Sequence, residues 1–260
     1  MKFKISSIYI VLIILLVPLT SFIIYKFTSN NYQFNKYVVF YPQHQDDEVL
    51  WAGSTIINAI NERGQNNVFV VLVSNGSEIA VFDKYDKYKN LSIKEKREIR
   101  NREFLASLKA LGVKDENIIF LSDENPTGTA NFNLLEKTAL EFENKYKSVT
   151  HIAHTYKYDW HLQHLKNGST IINLYNAGLI KDAKFFVKPR YEYMIPKDKK
   201  IIYSVDNNSD YNKIKNACEE YMLIDESIGR EGIGYKSDNK SFDNLINDSS
   251  AKSILHLPGV

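Results

Sequence analysis

Tyr37-Val38-Val39-Phe40-Tyr41-Pro42-Gln43-His44-Gln45-Asp46-Asp47-Glu48 is the stretch that sets the fold class. Its first five residues form a short apolar run that reads as a buried strand. Glu48 to Arg63, with Val49, Leu50, Ala52, Ile56, Ile57 and Ile60 at helical spacing, reads as the helix that follows. One imidazole and three carboxylates are thereby delivered to the C-terminal end of a strand, the edge at which open α/β sheets bind ligands. Adjacent carboxylates repel one another, so a cation or a helix N-terminus has to compensate their charge. A bound metal does so most directly.

His44 and Asp47 are ligand types that zinc prefers, and a catalytic zinc site needs three protein ligands plus an open position. The third must come from elsewhere in the chain. Four of the six histidines lie between His151 and His164, and Asp159-Trp160-His161-Leu162-Gln163-His164 is the most compact second cluster. It follows another apolar run, Val149 to Thr155, that reads as a strand. A lone H-x-D-D is a weak signal, because helix N-termini attract aspartates for capping alone. Two such motifs in order, each after a strand, are a much stronger one. His151 and His154 fall within the strand itself and read as packed or surface imidazoles.

Together the two stretches resemble the LmbE-like, or PIG-L, superfamily of zinc-dependent de-N-acetylases, whose signature is H-P-D-D-E early and H-x-x-H late. His44, Asp46, Asp47 and Glu48 match the first part, His161 and His164 the second. The resemblance implies that His44, Asp47 and His164 hold Zn2+ and that Asp46 is the general base on the attacking water. It also implies that His161 polarises or protonates the tetrahedral intermediate, with Asp159 setting its tautomer. The substrate implied is an N-acetylglucosamine-type sugar in a glycan or glycolipid, and the products are acetate and an amine. The family's proline is replaced by Gln45, and the residues between the late histidines are Leu162 and Gln163; these are not ligand positions and bear on substrate fit. Tyr158 is a candidate for the tyrosine that often helps the oxyanion in this family. Arg100 and Glu103 match an R-x-x-E of the family and read as a pair on a helix surface.

The chain has 260 residues, enough for one large α/β domain with a sizeable core. The expected architecture is a Rossmann-like, mostly parallel sheet flanked by helices, a single domain behind an N-terminal transmembrane helix. Lys2 and Lys4 precede an uncharged apolar run from Ile5 to Tyr25, and about 20 such residues are what crossing a bilayer requires. A cleaved signal peptide is the alternative, but its apolar region is usually about 7 to 15 residues with small residues before the cut. Residues 1–28 are therefore expected to be an uncleaved membrane anchor, 29–35 a short polar stalk and 36–260 the deacetylase domain. The lysine distribution weakly favours an outward-facing domain in a single-pass membrane protein. With 33 basic and 31 acidic side chains, nothing in the charge balance points to nucleic acid. The single cysteine, Cys218, excludes an internal disulfide framework.

Further strands are expected at Val68 to Val73, Asn117 to Leu121, Lys184 to Val187 and Lys200 to Ser204. Helices are expected at Ser92 to Leu111, Phe132 to Tyr146, Asn167 to Ala177 and Tyr211 to Ile224. Ser92 with Glu95 forms a capping box and Gly112 ends that helix. Ser74 to Glu78 reads either as a pocket wall or as an ordinary turn, Asp83 to Asn90 as a solvated insertion or a lid, and Asp225 to Val260 as surface loops. Two other functions stay open. One is a metal-dependent hydrolase of another bond, such as a phosphoester, since carboxylate-rich sites also hold magnesium. The other is a tethered glycan-binding protein without turnover, in view of the 17 tyrosines and 14 phenylalanines.

Overall fold

A computed structural model describes residues 33–123 and 130–260. Strands β1 (Tyr37–Tyr41), β2 (Val68–Leu72), β3 (Ile118–Phe120), β4 (Val149–His154), β5 (Ala183–Val187), β6 (Lys200–Tyr203) and β9 (Ser253–His256) build one sheet in the order β3-β2-β1-β4-β5-β9-β6. Pairing is parallel from β3 through β5, and β9 alone runs against its neighbours. Strands β7 (Ile224–Asp225) and β8 (Arg230–Glu231) form a separate hairpin. The helices among the described residues are α1 (Asp47–Leu50), α2 (Gly53–Arg63), α3 (Val81–Lys84), α4 (Asp86–Lys89), α5 (Ile93–Leu111), α6 (Phe132–Tyr146), α7 (Leu162–Asn176), α8 (Asn208–Met222) and α9 (Ile233–Asn247).

Continuous apolarity in β1 and β2 has a simple cause: helices cover both faces of the sheet. Val38 and Phe40 enter one core with Ile56 of α2, Phe104 and Leu108 of α5, Ile214 of α8 and Phe242 of α9. Val39 and Tyr41 enter the other with Leu135 and Phe142 of α6 and Ile171 of α7. Helix α5 carries the predicted Ser92–Glu95 capping box and stops at Gly112, which adopts φ 93°.

Three expectations are corrected. The helix foreseen over 48–63 is two helices, because Trp51 and Ala52 have φ of −117° and −126° and interrupt it. The tail is not a set of surface loops. It contains α9, kinked at Asp238, and β9, whose Ile254 and Leu255 are buried between β5 and β6. A four-residue strand far along the chain from both its partners, which end at Val187 and Tyr203, leaves little periodic signal, so only the tertiary pairing reveals it. Finally, the stalk does not extend to residue 35. Phe34 is buried and its N–H donates to Glu62 Oε1 at 3.0 Å, while Asn35 N–H donates to Thr150 Oγ1 at 2.8 Å. The expected anchor, residues 1–28, lies outside the described residues. Among the described residues no helix is long and apolar enough to cross a membrane.

Helix α7 starts five residues before the predicted Asn167, which places Gln163 and His164 in its first turn. Gly168 lets this helix come down on the end of β4: a Cβ there would lie 2.3 Å from the His154 carbonyl oxygen and 2.6 Å from the Tyr156 nitrogen. Both contacts are backbone and cannot rotate away. Gly168→Ala is therefore expected to cost about 1–3 kcal/mol, as overpacked sites do. A denaturation midpoint equal to wild type would refute this.

Candidate active site

The chain leaves β1, runs out to β3 through β2, and returns to β4 on the opposite side of β1. Loops after β1 and β4 therefore part in opposite directions, opening a crevice at their carboxyl ends. The first motif follows β1 and the second follows β4, so the topology brings His44, Asp47 and His164 together. His44 Nδ1 lies 3.1 Å from His164 Nε2 and 3.3 Å from Asp47 Oδ2, and His164 Nε2 lies 3.4 Å from Asp47 Oδ2.

Protons place the electron pairs. His44 Nε2 meets Gln163 Oε1 at 2.8 Å, so it donates there and Nδ1 keeps its lone pair. His164 Nδ1 donates to Asp159 Oδ2 at 2.8 Å, so its Nε2 lone pair points inward. Two imidazole lone pairs and a carboxylate oxygen thus converge, an arrangement that is repulsive unless a cation sits among them. Ligands about 2.05 Å from a tetrahedral zinc stand about 3.3 Å apart, which matches these three edges. The donor set therefore fits a divalent metal. Without one, a proton can take its place: burial disfavours a charged His164, but Asp47 and Asp159 outweigh it and raise its pKa. Asp47 is held well below the usual carboxylate range; burial opposes this, and the His164 ring beside it, the one that favours its charged form, overrides it.

Asp46 is brought to the same point and turned differently. Its backbone adopts φ 103°, its N–H donates to Glu48 Oε2 at 2.9 Å, and its Oδ2 lies 3.0 Å from Arg100 Nη2. Burial raises its pKa, with Arg100 opposing and Asp47 adding to the rise. Glu48 leaves the cluster altogether. It is buried against the hydroxyls of Ser107 and Tyr221, each 2.8 Å from Oε1, and burial pushes it up to about 8. The three carboxylates thus have three different partners. Arg100 and Glu103 are not on a helix surface, as the sequence implied. Arg100 is 1% exposed and also donates to the Gln45 carbonyl, while Glu103 accepts the N–H groups of Ile233 and Gly234.

His161 sits at the rim with its ring stacked 4.3 Å from that of His164. Desolvation, with the His164 and His44 rings beside it, pushes its pKa down to about 4. Asp159 does not hold the His161 ring. It accepts the His161 backbone N–H at 3.1 Å and gives its second oxygen to His164, so it orients the candidate ligand instead. Asp159→Ala is expected to weaken metal affinity about 10–100-fold, the usual cost of losing such a partner. Metal titration of the purified protein measures this, and unchanged affinity would remove Asp159 from the site.

His151 is packed, between the Tyr41 hydroxyl at 2.8 Å and Glu143 at 3.3 Å. His154 is packed too, yet its Nε2 lies 3.2 Å from Asp47 Oδ2. That nitrogen accepts the Gln43 N–H at 3.1 Å, and burial pushes the ring down to about 3, so it stands beside Asp47 as a neutral imidazole that anchors the Gln43 backbone. Its position as the last residue of β4 was the only sequence signal. Tyr158 lies away from the cluster, buried with Val187, Tyr191 and Ile254. Gln45 is also turned away, its Nε2 donating to Asn75 O and Asn101 Oδ1.

A cavity of about 570 Å³ opens over these groups. Ser74, Gly76, Ser77 and Glu78 form one wall, in line with the pocket-wall reading, and Trp160 and Leu162 stand 83% and 80% exposed at its edge. The Asp83–Asn90 segment does not line it; Tyr88 there is buried against Phe82. Leu50, Trp51, Ile79, Lys188, Ser237 and Asp238 also line it and were not foreseen.

A search of curated protein sequences returns no match. Among solved structures, the A40926 pseudoaglycone deacetylase Dbv21 superposes with a TM-score of 0.58 at 13% identity, over 85% of this chain and 96% of that one. The N,N'-diacetylchitobiose deacetylase from Pyrococcus horikoshii gives 0.52 at 18% identity, over 88% and 86%. The 4-carboxy-2-hydroxymuconate hydratase GalB from Pseudomonas putida gives 0.55 at 15%, over 86% and 98%. Likeness at these identities is likeness of fold. Residues 38–175, however, match the family model described as PIG-L, GlcNAc-PI de-N-acetylase, a span that holds both motifs and the two strands that present them. The chain belongs to the PIG-L family.

Proposed function

We propose that this chain is a zinc-dependent deacetylase that hydrolyses the N-acetyl group of an N-acetylglucosamine-type sugar in a glycan or glycolipid. The observation that carries the proposal is the convergence of the His44, Asp47 and His164 electron pairs beside Asp46, on the floor of an open cavity. Zinc bound there would supply a Lewis acid for the acetyl carbonyl and lower the pKa of water. Asp46, braced by Arg100, takes the proton of the attacking water. His161, neutral at pH 7 and one ring from His164, stands where the developing oxyanion or the leaving nitrogen can be reached. Water oxygen adds to the acetyl carbon, the C–N bond breaks, and the nitrogen leaves with a proton as the sugar amine.

The hydratase among the structural neighbours is a reminder that fold alone does not set the reaction. Two imidazoles among the donors favour zinc over magnesium, which speaks against the phosphoester alternative. The test is acetate release from a panel of N-acetylated glycans, with metal content measured on the same preparation. Acetate that tracks zinc supports the proposal. Zinc-loaded protein that releases none would overturn it.

The uncharged run from Ile5 to Tyr25 supports a second element: the chain is held in a membrane with its domain outward. Protease added to intact cells is then expected to cut within residues 34–260. Full protection would reverse the orientation, and soluble product with a new terminus near Ser21 would show a cleaved leader.

A further inference from the structure

Asp46 occupies the N-cap position of α1 without capping it: its side chain makes no hydrogen bond to the N–H groups of the helix. An N-cap aspartate ordinarily uses its carboxylate for that bond, and in a capping box a side chain from the first turn answers by accepting the N–H of the N-cap residue. Here only the answering half exists. Glu48 Oε2 accepts the Asp46 N–H at 2.9 Å, while the Asp46 carboxylate goes to Arg100 at 3.0 Å and lines the cavity. Asp46 has φ 103° and ψ −30°, a region that a residue with a side chain keeps only when its surroundings hold it there.

The holder is itself held. Glu48 is 1% exposed, and its Oε1 accepts the hydroxyls of Ser107 on α5 and Tyr221 on α8, each at 2.8 Å. Tyr221 is fully buried with its ring centroid 5.3 Å from that of Phe242, and it packs so closely on the start of α9 that a Cβ on Gly234 would lie 2.4 Å from its Cδ1. Tyr221, Gly234 and Phe242 all lie beyond the span matched by the family model. Asp47 has separate supports, the His44 N–H on Oδ2 and the Trp51 indole N–H on Oδ1.

We propose that Glu48 is the positioning residue for Asp46: by accepting the Asp46 N–H it holds the backbone so that the carboxylate points to Arg100 and the cavity instead of capping α1. Ser107 and Tyr221 fix Glu48 in turn, so the packing of α5 and α8 sets the aim of the base. The kinetic side of this inference rests on the reading of Asp46 as the general base of a deacetylase; the structural side does not.

Glu48→Ala in the full chain tests both sides. Its crystal structure is expected to show Asp46 relaxed to a negative φ, with the carboxylate on an N–H of α1 and away from Arg100. Acetate release from the N-acetylated glycans is expected to fall about 100-fold in kcat, the cost of roughly an ångström of misplacement at a reacting group. KM and zinc affinity should stay at wild-type values, because Asp47 keeps both of its partners, and a merely structural role would not produce that split. Glu48→Gln keeps an oxygen for the Asp46 N–H and an amide that can donate to the two hydroxyls, so it is expected to restore most of kcat. If Glu48→Ala does not fold, Ser107→Ala combined with Tyr221→Phe leaves Glu48 in place but unfixed, and kcat is expected to fall about tenfold, the weight of one hydrogen bond. Wild-type kcat in these variants, a loss of kcat that tracks loss of zinc, equal losses in Glu48→Gln and Glu48→Ala, or an unmoved Asp46 in the variant structures would overturn the assignment. A wild-type chain that releases no acetate from any glycan would remove the deacetylase reading instead, and the variant structures would still decide what holds Asp46.

Discussion

Asp46→Asn is expected to lower turnover by about 100- to 10,000-fold while the protein keeps its metal, the span usually lost with a general base. The substitution isolates the proposed proton acceptor for a structural reason. Asp46 adopts φ 103°, a region that asparagine and aspartate tolerate better than other side-chain-bearing residues. Alanine there would add backbone strain to the chemical loss. Asparagine also keeps an oxygen for Arg100, which otherwise would be buried with Glu103 as its remaining carboxylate partner. Single-turnover acetate release together with metal analysis reads both quantities at once. Loss of the metal would make Asp46 a ligand, and near-wild-type turnover would take it out of the reaction.

Asp47→Ala is expected to be the most damaging change to the metal site, lowering affinity by more than the roughly 100-fold ceiling typical of outer partners. Asp47 is at once a candidate ligand and the anchor of the others. Its Oδ2 accepts the His44 N–H at 2.8 Å, its Oδ1 accepts the Trp51 indole N–H at 3.0 Å, and three imidazole nitrogens lie within 3.4 Å of Oδ2. His44→Ala and His164→Ala each remove one donor and are expected to lower occupancy as well. The fold should persist in all three, because both hydrophobic cores lie behind the loops that carry these residues. Full zinc occupancy in the three purified variants would end the assignment, whatever their activity.

The Asp47 and Asp46 experiments also separate what lay in the sequence from what did not. Strand β1 was legible because five consecutive apolar residues between polar flanks admit little else in a chain of this composition. Helix α6 was legible to the residue and strand β4 to within one residue, and the Ser92 capping box marked the start of α5, because propensity, pattern and caps agree there. The two motifs, each behind a strand, were enough to bring His44, Asp47 and His164 into one hypothesis.

Local pattern decided less where long-range contacts carry the energy. Asp159 was matched to the wrong histidine, since spacing cannot tell whether a carboxylate two residues from His161 and five from His164 meets a ring or a backbone N–H. Arg100 and Glu103 looked like a surface pair because an i,i+3 spacing carries no burial information. It is the loop after β1 and the start of α9, 54 and 130 residues away in the chain, that enclose them. β9 was invisible for the same reason: it exists only once residues from the tail are laid against β5. The sequence by itself determined the parallel α/β core, which rests on short-range periodicity, and its resemblance to a known family named the candidate ligands. Only the tertiary structure decided which partner each polar group meets, because burial and hydrogen-bond geometry depend on segments far apart in the chain.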